Sequence, residues 1–346
     1  MNRRKFLCAA ASVTAGAFAG ETHSHHHVAE VRFETALAAD GAVHADDPAN
    51  PIISGSGDFR YQYMPDKLAL PPEVRMKHGH GLCHDTEGNI YFTFESETVE
   101  EHTRCLVRFR PDGTGAALLG SDNALAHGVP HGLNIHFEKD GHPVLYHANN
   151  DATVHKTTLD GRILWTQKWS PQMGNYKPTD AVAPPEADRL LVADGYGSSM
   201  IHALKTADGV YAGKSWGGLG SAHGELNCPH GITFDPRRRL LLTADRGNKR
   251  LEYFTLDGRY HSTIEAPEIT APCNADIRGD YVLVPDLDGP VVILDGGNKV
   301  VSVIEQARLL GVRGFKHPHD AIWLSNGDIA ICTWNPGRIA YWKRVA

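Results

Sequence analysis

The sequence of 346 residues has no long block of Lys and Arg, no stripe of alternating basic and aromatic residues, and only one long apolar stretch, at its N-terminus. Without a basic surface, nucleic acid is excluded as an expected partner. Without further apolar stretches, a protein with several membrane spans is excluded. The 34 Lys and Arg stand against 41 Asp and Glu, and no Cys-x-x-Cys pair offers a thiolate zinc motif.

Histidine, in contrast, is abundant, with 21 residues in the chain. Imidazole is the commonest metal ligand among protein side chains, so this content raises the question of a metal site. Scattered surface histidines would give the same count, and composition does not separate the two explanations. The 35 Gly and 20 Pro suit a protein with many tight turns rather than a helical one.

The first 57 residues have the pattern of an export signal followed by an arm. Residues 3–7 read Arg-Arg-Lys-Phe-Leu and precede an apolar segment that ends in small residues, which is typical of a twin-arginine secretory signal over residues 1–20. We expect export to the periplasm or beyond, and no membrane span after cleavage. Residues 21–57, rich in Ala, Asp and His, are expected to form a flexible arm. The five cysteines that remain are an odd number, so at least one should be unpaired in a lone chain.

A short pattern recurs six times within residues 58–346. Its clearest copies are Pro-His-Gly at 130–132 and 229–231 and Pro-His-Asp at 318–320. The copies are 43 to 51 residues apart, and β-rich runs with Gly- or Asn-containing turns follow them, which is typical of propeller blades of four short strands. The last copy leaves room for only three strands, and residues 59–63 would supply the fourth and close the ring. We therefore predict an all-β, six-bladed β-propeller closed by an N-terminal strand.

The residue at the His position of each copy is expected to face the axis of the ring, because the innermost strand of each blade lines the central channel. Four of the six are histidines, and convergent imidazoles are what a divalent metal requires. A turn histidine that only forms hydrogen bonds is the simpler explanation of any one copy, but four in register favour a metal site. The six positions are His80, His131, Thr179, His230, Cys273 and His319.

These motifs resemble those of the peptidyl-α-hydroxyglycine α-amidating lyases, within the NHL-repeat propellers, over roughly residues 74–342. Besides the Pro-His copies, the resemblance rests on Asp-Gly-Tyr at 194–196 and Asp-Arg-Gly-Asn at 245–248. It implies a six-bladed fold and a lyase that cleaves the C–N bond of a carbinolamide to give an amide and glyoxylate. It also implies a catalytic zinc with an open coordination position for the substrate, and a structural calcium deeper in the channel.

Carried over by motif, the resemblance assigns roles to five residues around the zinc. Three would be zinc ligands, one would be a catalytic tyrosine that takes the hydroxyl proton of the substrate, and one would be an arginine that binds the substrate. In that order, they are His131, His230 and His319, then Tyr196, then Arg246.

The resemblance also concerns calcium, and it fails at two places. Asp320 would bind the calcium with the carbonyl oxygens of Leu82 and Leu133. The place of a further active-site arginine falls on Glu95, which would bind a cationic substrate group, act as a base, or only hydrogen-bond the adjacent loop. His80 is a fourth ring histidine, and as a fourth ligand it would suit iron or manganese as well as zinc.

Three functions fit these observations. The leading hypothesis is an exported, monomeric, metal-dependent lyase that acts on a small or peptide-derived hydroxylated substrate. The second is a metal-dependent hydrolase such as a lactonase, although lactonase propellers resembling this fold use carboxylate and amide ligands. The third is a non-catalytic periplasmic binding propeller whose histidines hold a structural ion, and it predicts a closed coordination sphere.

Overall fold

The structure, a computed structural model, describes residues 50–97, 104–120, 125–185, 187–311 and 315–345. The predicted signal and most of the predicted arm lie outside these residues. No helix within the described residues is long and apolar enough to cross a membrane.

The described residues form six antiparallel sheets, five of four strands and one of five. The predicted six-bladed β-propeller is confirmed, with blade 1 formed by strands within residues 76–119, blades 2 to 6 following in chain order, and strands within residues 53–64 joining blade 6. The short helical segments include Pro171–Met173, Arg246–Asn248 and α1 Gln306–Leu310. The strands are β1 Ile53–Ser56, β2 Phe59–Met64, β3 Met76–His84, β4 Ile90–Ser96, β5 Leu106–Phe109, β6 Ala117–Leu119, β7 Pro130–Phe137, β8 Pro143–Asn149, β9 Thr153–Thr157, β10 Ile163–Lys168, β11 Asp180–Val182, β12 Arg189–Ala193, β13 Met200–Lys205, β14 Tyr211–Gly217, β15 Pro229–Asp235, β16 Leu240–Asp245, β17 Arg250–Phe254, β18 Tyr260–Ile264, β19 Asp276–Arg278, β20 Tyr281–Pro285, β21 Val291–Leu294, β22 Val300–Ile304, β23 Pro318–Trp323, β24 Ile329–Thr333 and β25 Arg338–Val345.

Short polar segments turn the chain between strands where the sequence predicts them. Between β3 and β4, Gly88 has a φ of +84°, which suits glycine, and Asp85 accepts hydrogen bonds of 2.8 Å from the backbone and side chain of Asn89. Between β17 and β18, Gly258 has a φ of +83°, and a Cβ there would lie 2.5 Å from the ring of Trp216. Gly88 is therefore favoured by its backbone conformation, and Gly258 by its backbone conformation and by the lack of space for a side chain.

The ring is closed by residues from both ends of the propeller. As predicted, β2 pairs antiparallel with β25, so that Tyr63 faces Trp342 in the sheet of blade 6. The sheet also contains a strand that the sequence analysis missed. Ile53–Ser56 pairs with β2 as a fifth strand, so the described sheet begins at Ile53 and includes the last residues of the segment expected to be a flexible arm.

The hydrophobic core is divided among the interfaces between neighbouring blades. The described residues contain six clusters of buried apolar side chains, and each cluster joins one blade to the next. Between blades 6 and 1, for example, Ile322 and Leu324 pack in one cluster with Phe92 and Phe94. Because apolar burial lies between the sheets, the axis of the ring is left to polar side chains.

All five described cysteines are buried, and none forms a disulfide. An unpaired cysteine was expected from the odd count. Two of the five lie beside the ring of histidines. Cys273 is itself a ring position, and Cys332 Sγ donates to the carbonyl oxygen of His80 at 3.4 Å.

Candidate metal centre

Four histidines, one each from the inner strands of blades 1, 2, 4 and 6, lie close together. The ligating nitrogens of His80, His131 and His319 all lie within 4.8 Å of one another. The ring centroid of His230 lies 4.7 Å from the centroids of both His131 and His319. The repeat therefore brings the four predicted imidazoles together, although they come from widely separated parts of the chain.

Three of these imidazoles are oriented by the backbone of the next blade. The Nδ1 atom of His131 lies 2.6 Å from the carbonyl oxygen of Thr179, that of His230 lies 2.8 Å from Cys273, and that of His319 lies 2.9 Å from His80. A carbonyl oxygen only accepts hydrogen bonds, so each Nδ1 carries the hydrogen and each Nε2 is left as the acceptor nitrogen of its ring. This arrangement of second partners is the one that metal-binding histidines ordinarily have.

Several nitrogens of the ring are buried without a partner among the described residues. They are Nε2 of His131, Nε2 of His319, and both ring nitrogens of His80. Burial lowers the pKa of His131 to about 3, and it lowers the pKa of His80 and His319 well below the usual value, so the rings are neutral. Unpaired buried acceptors are costly, and a transition metal is the partner that neutral imidazoles fit. The donor set therefore fits the metal that the sequence predicts.

Tyr196, His230 and Arg246 form a hydrogen-bonded group against this ring. Because Nδ1 of His230 donates to a carbonyl, its Nε2 accepts, and the Tyr196 hydroxyl donates to it at 3.0 Å. Arg246 Nη1 donates to the same hydroxyl oxygen at 3.2 Å. Burial raises the pKa of Tyr196 to about 12, and the positive charge of Arg246 partly opposes this rise. The predicted tyrosine and arginine thus contact each other and one ring histidine.

The loops that carry Tyr196 and Arg246 are each held by a buried carboxylate at the end of a second strand. Asp194 accepts from the backbone N–H groups of Lys177, at 2.5 Å, and Ser198, at 2.7 Å. Asp245, directly before Arg246, accepts from the N–H of Asn227 at 2.7 Å. The Asp of each motif therefore fixes the loop, and the residue one or two places later faces the ring.

Glu95 has other partners. Its carboxylate lies 2.7 Å from the Nζ of Lys77 and 3.8 Å from the Nε2 of His78, and no described contact joins it to Tyr196 or Arg246. His78 lies next to His80, with ring centroids 6.4 Å apart and nearly perpendicular planes. Glu95 therefore pairs with side chains of β3, and the three roles given to it from the sequence remain predictions.

Two buried carboxylates lie one residue further along the inner strands. Asp320 accepts hydrogen bonds from the N–H of Leu82, at 2.7 Å, and from Asn274 Nδ2, at 3.0 Å. Asp180 accepts from the N–H of Ile232 at 3.0 Å. Burial raises the pKa of Asp180 to about 7 and that of Asp320 well above its usual value, and the charge of Asp180 adds to the second shift. A cation would favour the charged form of both carboxylates, and the predicted calcium at Asp320 stays a prediction.

Sequence reasoning missed Asp180, although a signal was present. It follows Thr179 in the same register in which Asp320 follows His319. In blade 2 the equivalent position is Gly132, and a side chain there would collide with Asp180, because a Cβ would lie 2.4 Å from Asp180 Oδ1. Leu82 lies against Asp320 through its amide, while the carbonyl ligands expected from Leu82 and Leu133 remain predictions.

No family model matches the chain. The chain is 26% identical over 237 residues to the peptidylglycine alpha-amidating monooxygenase of Rattus norvegicus, a match that covers 58% of this chain and 23% of the rat protein. The chain therefore spans less than a quarter of the length of the curated relatives that it matches. The relationship is distant.

Two solved structures show the same fold. A gluconolactonase from Xanthomonas campestris has a TM-score of 0.59 at 14% identity, covering 87% of this chain and 97% of that chain. A catalytically inactive virginiamycin B lyase from Staphylococcus aureus has a TM-score of 0.55 at 11% identity, covering 82% and 99%. At such identities the likeness shows the fold alone. With the distant sequence similarity, it supports a propeller-type family.

Proposed function

We propose that this protein is a metal-dependent carbon–nitrogen lyase that cleaves a carbinolamide-type substrate at the mouth of the propeller channel. The observation that carries the proposal is the Tyr196 hydroxyl, which lies between His230 and Arg246 beside a ring of neutral imidazoles. The distant similarity to an amidating enzyme agrees with this chemistry. The proposal includes export of the chain to the periplasm or beyond, which the signal pattern of residues 1–20 supports.

The metal would be held by His131 and His319 with a third imidazole of the ring, and zinc fits this all-nitrogen donor set. When bound, it would supply Lewis acidity toward the hydroxyl oxygen of the substrate. The remaining contributions come from side chains of the chain itself.

Tyr196 is positioned to move the proton. Its own hydrogen is directed at His230 Nε2, so its oxygen would accept the hydroxyl proton of the substrate as that hydrogen passes to His230. The C–N electron pair would then go to the amide nitrogen, which takes back the proton, and the carbon–oxygen double bond of glyoxylate forms. Atoms and charge balance without any further reactant.

Arg246 would stabilise the tyrosine oxygen and bind the substrate carboxylate. Its Nη1 already donates to Tyr196, while its Nε is a buried donor with no partner among the described residues. A carboxylate would satisfy that donor with a charge-assisted hydrogen bond. The substrate class expected is therefore an N-acyl-α-hydroxyglycine.

The test is glyoxylate release from α-hydroxyhippurate by the zinc-loaded protein. Tyr196→Phe removes the hydroxyl and should lower kcat by roughly 10²–10⁴-fold while zinc stays bound. The matched control is Tyr146→Phe, since that buried hydroxyl has no hydrogen-bond partner among the described residues and should be dispensable.

Two results would contradict the proposal. One is unchanged turnover in Tyr196→Phe, which removes the tyrosine from the mechanism. The other is hydrolysis of a lactone by zinc-loaded protein that releases no glyoxylate, which would favour the hydrolase instead.

A further inference from the structure

We infer that the metal is held by His80, His131 and His319, and that His230 acts as the hydrogen-bond partner of Tyr196 instead of a ligand. The inference rests on the metal of the proposed function, and it changes the ligand set that the sequence resemblance implies. The three ligands would come from blades 6, 1 and 2, which are consecutive around the ring. The group formed by Tyr196, His230 and Arg246 lies on blades 3 and 4.

The first support is the geometry of the ligating atoms. Among the described residues, the cluster whose ligating atoms all lie within 4.8 Å of one another contains His80, His131 and His319, and His230 is not in it. Nitrogens bound to one tetrahedral zinc are about 3.4 Å apart, given Zn–N distances near 2.0–2.1 Å. Rotation of the three rings would have to bring their ligating nitrogens from within 4.8 Å of one another to this shorter spacing.

The second support is the state of His80. This side chain is only 3% exposed, and both of its ring nitrogens lack a partner among the described residues. Its backbone, in contrast, is held firmly, because its carbonyl oxygen accepts from His319 Nδ1 and from Cys332 Sγ. The His80 imidazole is thus buried on a fixed backbone, without a hydrogen-bond partner among the described residues, and it lies close to His131 and His319. These are the features of a metal ligand.

The third support is the state of His230. Its Nδ1 donates to the carbonyl of Cys273 and its Nε2 accepts from Tyr196, so both nitrogens are satisfied. If Nε2 bound the metal, the buried Tyr196 hydroxyl would lose the acceptor of its hydrogen. With His80 as the third ligand, the hydrogen bond is kept.

With this division, His80, His131 and His319 would hold the metal, and Tyr196 would be left to contact the substrate. The ring centroids of His131 and Tyr196 are 5.4 Å apart, so the two halves of the site are in contact. A substrate hydroxyl would then lie between the metal on one side and the Tyr196 oxygen on the other.

The experiment measures zinc affinity by chelator competition in the full-length protein and in single Ala variants of the four ring histidines. We expect His80→Ala, His131→Ala and His319→Ala to weaken zinc binding by at least about 100-fold, and His230→Ala by less than about 10-fold. His136→Ala is the matched control, because His136 Nδ1 also contacts a carbonyl of the next blade, that of Ala183 at 3.1 Å, but lies outside the ring.

Cobalt substitution and thermal unfolding distinguish the loss of a ligand from misfolding of a variant. The visible spectrum of the cobalt-loaded wild type should persist in His230→Ala and change in His80→Ala. Each zinc-free variant should unfold near the temperature of the zinc-free wild type, and added zinc should raise this temperature in wild type and His230→Ala only.

The inference is overturned if His80→Ala retains zinc while His230→Ala loses it, or if all four variants lose it equally. A wild type without stoichiometric metal overturns it as well. Failure of the proposed function looks different, because zinc binding would follow the expected pattern while no form releases glyoxylate.

Discussion

At the scale of single residues, the hydrogen bonds of each ring imidazole decide what it can do. In His131 and His319, Nδ1 is hydrogen-bonded to a carbonyl of the next blade, and Nε2 has no partner among the described residues. His230 makes the same Nδ1 contact, but its Nε2 accepts a hydrogen bond from Tyr196. The motif Pro-His looks identical in all three copies. The difference therefore arises from the neighbour, Tyr196, and the motif alone cannot show it.

A pH-dependent prediction belongs to Asp180. Its pKa is raised by burial to about 7, while an Asp in the unfolded chain titrates near 4. Between these two pH values the folded state binds one more proton than the unfolded state, so this group lowers the free energy of unfolding as pH rises. Without a cation, we expect Asp180→Asn to make the unfolding temperature less dependent on pH over this window.

The measurement is thermal unfolding in chelator from pH 4 to 7.5, with Asp188→Asn, an exposed carboxylate of the same region, as control. Added calcium should stabilise the wild type at neutral pH and should act less on Asp180→Asn and Asp320→Asn. An unchanged pH slope in Asp180→Asn, or equal calcium effects in all forms, would count against a cation site at this pair.

At the scale of elements, the strand β2 joins the two ends of the propeller. One face of this strand is buried in the interface between blades 5 and 6, where Tyr61 is 1% exposed and its hydroxyl accepts from Trp323 Nε1 at 3.2 Å. Its neighbour Arg60 is exposed on the other face. These two residues therefore lie on opposite faces of the strand, one exposed and one buried.

From this contrast we expect Tyr61→Ala to lower the free energy of unfolding by about 3–5 kcal/mol, the usual cost of removing a buried aromatic ring. Arg60→Ala should change it by less than about 0.5 kcal/mol. Urea unfolding of the metal-free proteins measures both. Equal, small effects would show that closure by β2 contributes little to stability.

The sequence was sufficient for the repeated elements and insufficient for the irregular ones. The anchors at 43 to 51 residue intervals predicted six blades and placed four histidines on one axis, because position in a repeat determines position in a propeller. Ile53–Ser56 was missed because Ser-Gly-Ser has no apolar alternation, and its pairing depends on β2 and on the contact of Ser56 with Ser302. Likewise, the pairing of Glu95 with Lys77 depends on a register that the motif does not contain.

At the scale of the whole molecule, the site exists only when the ring is closed. His80 lies in blade 1 and His319 in blade 6, and the two residues are 239 positions apart in sequence. They become neighbours only when the ring closes, and His319 Nδ1 then donates to the carbonyl oxygen of His80. A metal bound there would interact with the folded state alone and so would stabilise it. Apolar burial between blades supports the fold, while the polar axis carries the chemistry.

The most direct test of the central claim is the metal content of protein exported and purified without an affinity tag, measured together with glyoxylate release. We expect about one transition metal per chain at the histidine ring, loss of metal and of glyoxylate release together on chelation, and recovery of both when zinc is returned. Glyoxylate release at the full rate by metal-free protein, or exported protein that holds no transition metal, would contradict the account.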